Sequence, residues 1–287
     1  MTATDRRTVM VAAALSGAIG LMYAGVLSSL VLQWASDDNY SHGFFVLPLA
    51  LYFAWERRAA LAEATRRPGT TGLALIVASL LVRLAGVLGS DLFLTRVSLI
   101  GVIAGTIWFV WGQRHVRILA FPILFLLLMI PLPAVVFNQL AFPLQLFASR
   151  VGETAIALAG IPVLREGNVL HVPAATLEVA EACSGIRSLV SLVMLAIVLG
   201  YFTGQGTRGR TLLALAAVPI AIIANAARVA GTGLSAEWIG PEAAQGFFHT
   251  FSGWLMFVVA FAGLLILQQV FARVGQRRGR MALARLA

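Results

Sequence analysis

LLALAAVPIAIIANAARVAGTG, Leu212 to Gly233, carries one charged residue in a run long enough to cross a bilayer, and its reading decides the fold. A helix needs about 20 apolar residues to cross a hydrocarbon layer roughly 30 Å thick. An arginine within such a run costs roughly 2.5–3.5 kcal/mol at the centre on insertion scales, and less near an end. Arg228 therefore requires protein or water beside it, and Asn225, three residues earlier, shares its helical face. A side chain that merely reached for the outer headgroups would leave Asn225 unexplained.

The remainder of the chain has the same character. Of its 287 residues 60% are apolar and 11% charged, and the mean hydropathy is +0.90, which excludes a water-soluble fold of this length. A net charge of +9 could suit nucleic acid, but the arginines flank apolar runs and no soluble basic domain or stacking surface accompanies them. The bilayer is the expected partner, and nucleic acid is not. The lone cysteine, Cys183, excludes a disulfide scaffold and leaves its thiol chemically free. The N-terminus begins like a signal peptide, yet its apolar run continues to about Gln33 without a small-residue cleavage site, and it reads as a retained first helix.

Hydropathy places spans near 8–32, 71–90, 93–111, 115–132, 184–203, 211–233 and 248–272, with a shorter one at 43–56. The fold class expected is an all-α polytopic membrane protein of about eight transmembrane helices. It forms a single integral membrane domain over 1–287, with an insertion at about 133–182 and a basic tail at about 273–287. With the N-terminus inside, the inner segments collect Arg6, Arg7, Arg57, Arg58, Arg66, Arg67, Arg114, Arg117, Arg208, Arg210 and the tail from Arg273 to Arg285. The outer segments collect Asp37, Asp38, Asp91, Glu166, Glu178, Glu181, Glu237 and Glu242. Arginine bias sets orientation, so both termini are expected to be cytoplasmic and the insertion to lie outside. The first half of that insertion, 136–160, suits an interfacial helix and a buried one equally. Its second half alternates apolar and polar residues over 168–172 and 176–180, with Glu166-Gly167 and Pro173 as turn signals, and predicts a β-hairpin or three-strand meander.

This topology puts Cys183, in VAEACSGIRSL, at the outer mouth of the sixth span. A helix N-terminus and Arg187 favour its thiolate, whereas Glu178 and Glu181 oppose it, so the sign of the net shift stays open. A buried thiol used only as a small hydrophobe would not need such charged neighbours. His249, in GFFHTFSGW, opens the eighth span. Cys183, Arg228 and His249 thus reach one membrane depth from three helices, a set suited to nucleophile, oxyanion partner and proton shuttle. His42, in DNYSHGFF, is the rival imidazole; His171 suits a strand surface, and His115 falls on the cytoplasmic side. Arg83 and Arg96 border a short outer turn with Asp91 and are expected to pair with it. No cluster of ligands suits a metal, no glycine-rich phosphate loop follows a strand, and no cofactor is expected.

REGN at 165–168, LEVAEACSGIRSL at 177–189, NAARV at 225–229, FFHTFSGW and, nearer the N-terminus, SHGFFVLPLALYFAW at 41–55 together resemble the signature blocks of the exosortase family. The likeness runs from about residue 40 to 260 and is nearest to the exosortase A type. It implies a bacterial inner-membrane, multi-pass cysteine transpeptidase or peptidase, a convergent counterpart of sortases, with Cys183, Arg228 and His249 in the site at the periplasmic face. It also implies substrate proteins carrying a C-terminal sorting signal: a Pro-Glu-Pro motif, a transmembrane helix and a basic tail. The signal would be cleaved through a Cys thioester, the acyl group would pass to an unknown acceptor nucleophile, and the process would be linked to exopolysaccharide production. The alternative reading is a non-proteolytic membrane component of polysaccharide export or polymerisation, with Arg228 binding an anionic lipid-linked sugar. A serine protease using Ser184 or Ser252 is the poorest of the three, because neither serine has a convincing setting.

Overall fold

The structure, a computed structural model, describes residues 3–179, 185–204, 206–240, 242 and 246–284. Side chains are not described for residues 3–9, 12, 246–250 and 274–284. The chain forms two compact units, Met1–Ala134 and Val135–Ala287.

In the first unit an apolar run is broken at Tyr23 into α1 (Ala3–Met22) and α2 (Ala24–Ser36), bent by 68°. A break in a membrane helix strands a carbonyl in a medium without water, at a cost of several kcal/mol. Arg83 meets that need: its Nη2 donates to the Met22 carbonyl at 2.9 Å, and its guanidinium lies 5.0 Å from the centre of the Tyr23 ring. Tyr23 is fully buried, with its hydroxyl 2.9 Å from Ser98 Oγ. Arg96, 3% exposed, donates to Gln33 Oε1 at 2.7 Å and lies 3.4 Å from Ser29 Oγ, both on α2. The expected pairing of Arg83 and Arg96 with Asp91 is therefore overturned. Asp91 instead caps α6 (Leu92–Trp111), where its Oδ1 accepts from the Leu94 N–H at 3.0 Å.

α5 (Thr70–Leu88) and α6 pack as an antiparallel pair through small residues. A Cβ at Gly72 would stand 2.6 Å from Phe109 Cα, one at Gly86 2.9 Å from the Thr95 nitrogen, and one at Gly105 2.9 Å from the Ile76 nitrogen. Such close backbone approach is the usual basis of helix association where lipid is as apolar as the side chains.

The span expected at 115–132 is not one helix but α7 (Gln113–Ile118), α8 (Ala120–Phe125) and a 3-10 turn (Leu126–Met129). Gly112, at φ 98°, turns the chain before α7. Pro122 has no N–H to offer the Ile118 carbonyl four residues back, and Arg57 Nη1 donates to that oxygen at 2.6 Å. Pro131 pushes Ile130 into extended backbone and ends the turn. α3 (Gly43–Glu56) and α4 (Arg58–Glu63) complete this unit.

The second unit opens with α9 (Ala134–Leu158), a continuous helix whose buried residues Phe137, Ala141, Gln145, Ala148, Gly152 and Ile156 recur at helical spacing. A three-stranded antiparallel meander comes next: β1 (Leu164–Glu166), β2 (Val169–Val172) and β3 (Ala175–Glu178), in spatial order β1-β2-β3. Gly167, at φ 65°, makes the first turn. Leu170, Val172 and Val179 pack with Ala148, Ile156 and Val229, while Arg165 Nε meets Glu153 Oε2 of α9 at 2.7 Å. Then α10 (Ile186–Phe202), α11 (Thr207–Trp238) and α12 (Gly246–Ala284) pack around Leu192, Ala196, Leu213, Ala217, Ala221, Ala260 and Leu264. Helix α12 runs on through most of the expected basic tail.

Among the described residues four helices are long and apolar enough to cross a membrane, or up to six if each of two interrupted pairs is one span. The chain is thus a multi-pass membrane protein. The expected eight also counted α3 and α10, which at 14 and 17 residues fall short of the usual length. Gly72→Leu should lower thermal stability in detergent, because overpacking of this kind costs about 1–3 kcal/mol. Gly25→Leu, where a Cβ meets nothing within 4 Å, should leave the melting temperature unchanged.

Candidate active site

Cys183 and Glu181 lie outside the described residues, and the described part of the site begins two residues beyond the thiol, at Gly185. Gly185 is the N-cap of α10 and stands in the left-handed region, at φ 77° and ψ −2°. Only glycine adopts this conformation without a steric cost. Space dictates the same choice, because a Cβ there would lie 2.7 Å from Asn225 Cγ and 2.8 Å from Asn225 Cβ. Asn225 projects from α11 and is 7% exposed.

One turn further along the same face of α11, Arg228 is half-buried and lays its guanidinium on Gly253 of α12. A Cβ at Gly253 would stand 3.0 Å from both Cζ and Nη2 of Arg228. Position 249 is four residues before Gly253, one turn away on the same face of α12. Ser188, Asn225, Arg228 and Gly253 line a small cavity of about 10 Å³ floored by Leu192, Ala221 and Ala260. That is space for about one water molecule. Two expected site elements, the α11 arginine and the helix that bears His249, are thus adjacent at Gly253. A third, the start of α10, joins them through Gly185 and Asn225.

The two platforms, Gly185 and Gly253, carry no signal of their own in the sequence, although they stand two residues after Cys183 and four after His249. Glu178, whose charge would oppose the thiolate, is exposed at the end of β3. The other imidazoles have separate surroundings. His171 sits on β2, with Nδ1 3.1 Å from Thr176 Oγ1 and Nε2 3.6 Å from Glu166 Oε2, in the strand-surface setting expected of it. Among the described residues, no group of three His, Cys, Asp or Glu side chains could hold a metal ion.

A family model described as transmembrane exosortase matches residues 34–266, a stretch that contains Cys183, Gly185, Asn225, Arg228, His249 and Gly253. The chain belongs to the exosortase family. No curated protein and no solved structure matches it. Membership of this family of cysteine proteases and transpeptidases supports a membrane transpeptidase-type role for this exosortase.

The rival imidazole of the exosortase, His42, is engaged in holding the backbone of the first unit. It is 7% exposed, and its Nε2 lies 3.1 Å from the Leu128 carbonyl, beside the bond from Trp34 Nε1 to the Met129 carbonyl at 2.9 Å. A carbonyl can only accept, so Nε2 carries the proton and is spent as a donor. Burial holds the His42 pKa below the ordinary imidazole value, while the hydrogen bond to Leu128 opposes that shift. The unfolded chain therefore takes up a proton at about pH 6.5, and the folded one only at lower pH. The resulting stability is complete above about pH 6.5 and declines as the pH falls through the folded-state value. His42→Gln keeps an N–H for Leu128 but does not titrate. Melting curves recorded from about pH 8 to about pH 5 should show a smaller acid-side loss for this variant than for the natural protein.

Proposed function

We propose that this exosortase is a cysteine transpeptidase that cleaves a C-terminal sorting signal of exported proteins at the outer face of the inner membrane. The observation that carries the reading is the junction in which α10, α11 and α12 converge through Gly185–Asn225 and Arg228–Gly253. The thiolate of Cys183 attacks a carbonyl of the substrate's Pro-Glu-Pro segment. The scissile C–N bond breaks, a thioester forms, and the amine of the departing segment, with its helix and basic tail, takes a proton from His249. The acceptor nucleophile then gives a proton to His249 and displaces the sulfur as thiolate, which regenerates Cys183 with His249 protonated. Arg228 stabilises the oxyanion in both steps. Its guanidinium is held close against a glycine, in a site with room for about one water, and this pre-orients the charge at no cost during the reaction. The meander binds the extended motif by strand pairing at its β1 or β3 edge. Both termini lie in the cytoplasm, and the process is linked to exopolysaccharide production.

A tagged substrate bearing the Pro-Glu-Pro motif, helix and basic tail should remain unprocessed in cells with Cys183→Ala. Arg228→Ala should slow processing by about 10²–10³-fold, as loss of an oxyanion donor does elsewhere. His249→Ala should be impaired more severely than His42→Ala at equal protein level. Mass spectrometry of the acid-quenched exosortase should find a substrate fragment on Cys183. Normal processing by Cys183→Ala would overturn the mechanism, and a greater loss at His42 would reverse the assignment of the imidazole.

A further inference from the structure

Within the first unit, α1, α2, α3, α6 and the 3-10 turn leave an apolar cleft of about 470 Å³ between them. One stripe of α6 makes its long wall, where Leu99, Ile103, Thr106, Ile107 and Trp111 follow at helical spacing. At 1.5 Å per residue that stripe is about 18 Å long, so the cleft averages roughly 26 Å² in section. The pair α1 and α2, bent by 68°, supplies further walls through Ser16, Gly20 and Leu27. The cleft is open, for Leu27 and Leu47 at its edge are 37% and 44% exposed. Both α6 and the α1–α2 pair are long and apolar enough to cross a membrane, so the open side meets bilayer hydrocarbon.

Apolar space of this size is not left empty, because the atoms that line a void lose their packing partners. Water fills it badly, since a buried water needs about two to four polar partners. The side chains here offer hydroxyls only at Ser16 and Thr106 and an indole N–H at Trp111, while Trp34 Nε1 already donates to the Met129 carbonyl. A second helix is too thick: at a diameter of about 10–12 Å its section is roughly 80–110 Å², three to four times that of the cleft. A hydrocarbon chain fits in both section and volume. An apolar cavity of about 150 Å³ takes up a six-carbon ring, roughly 25 Å³ per carbon, so this cleft has room for about 15–20 carbons in a row. We propose that the cleft binds one acyl chain of a bilayer phospholipid, laid along α6 between Leu99 and Trp111. The chain completes the packing of the first unit, and its site is independent of the catalytic reading.

Gly20 provides the test, because it lines the cleft and a Cβ there meets nothing within 4 Å. Native mass spectrometry of the full-length protein in mild detergent should find one phospholipid retained per chain. Gly20→Phe, which puts a ring into the cleft, should cut that occupancy by about fivefold or more. Gly17→Phe, on α1 outside the cleft and equally free of neighbours, should keep it. After delipidation, single-chain phospholipids of increasing length should raise the melting temperature of the natural protein saturably. The gain should grow with chain length and level off at about 15–20 carbons, where the cleft is full. Gly20→Phe should show no such gain; if it fails to fold, the chain-length series on the natural protein still decides. Absence of phospholipid from the natural protein, equal retention in Gly20→Phe, or a gain indifferent to chain length would each overturn the proposal. So would a disulfide between two Gly20→Cys chains in a Cys183→Ala background with no lipid retained, which would assign the cleft to a second copy.

Discussion

Inside a bilayer a backbone carbonyl or amide released from its helix has no water to turn to, and this structure is organised by that constraint. At three breaks in the first unit a polar side chain meets a released carbonyl. Arg83 bonds Met22 where α1 gives way to α2, and Arg57 bonds Ile118 where Pro122 withholds a donor. His42 and Trp34 bond Leu128 and Met129 just ahead of Pro131. Each of these bonds joins elements far apart in sequence, so the irregular helices become the points at which the unit is tied together. A straight bundle of equal length would lack these ties and would depend on packing alone.

The same constraint sorts the polar residues by role. Arg96 is buried beside Gln33 and Ser29 of α2, and Arg83 and Arg57 serve carbonyls; these cations have structural work. Arg228 is placed differently. Its guanidinium rests on the bare backbone of Gly253, next to a cavity with polar and apolar sides. Glycine lets the fork lie close to α12, where a larger residue would hold it off. Among the imidazoles the contrast is similar: His42 donates to a carbonyl, while His171 belongs to a strand surface.

Much of this was legible in the sequence because it derives from composition and period. Apolar length marked α5, α6, α11 and α12 as spans, and alternation between turn signals marked the meander over 164–178. What hydropathy could not show is where an apolar run stops being one helix. Residues 115–132 average as apolar as a span, but Pro122, Pro131 and the positive φ at Gly112 divide the region, and a window mean has no term for a missing N–H. Arg83 and Arg96 went astray for a related reason. Charge complementarity pointed to Asp91, whereas the stronger demand came from a released carbonyl at Met22 and from the amide of Gln33. In the site, Arg228 and Asn225 were visible as polar residues out of place in an apolar helix. Gly185 and Gly253 were invisible because their contribution is the absence of a side chain.

Helix α11 links the site to the meander. Ala221, Asn225 and Arg228 form the stripe that meets the start of α10 and Gly253 of α12. Val229 and Gly233, on the neighbouring stripe, pack against α9 and the sheet core, and Glu237 accepts from the Ala174 N–H at 3.2 Å in the β2–β3 turn. Ideal helical spacing separates these stripes by only about one side chain's width, so neither can turn without the other. On the proposed function this has a mechanical consequence. A peptide held along a strand edge of the meander is referred to the same rigid rod that carries the oxyanion donor, so register along the strand sets where its carbonyl falls. Orientation of this kind is worth several kcal/mol of barrier when the reacting atoms are held near contact. A loop-borne binding edge would forfeit it; on the proposed function, the bond from the Ala174 N–H to Glu237 ties the β2–β3 turn to α11 and would help to keep that orientation.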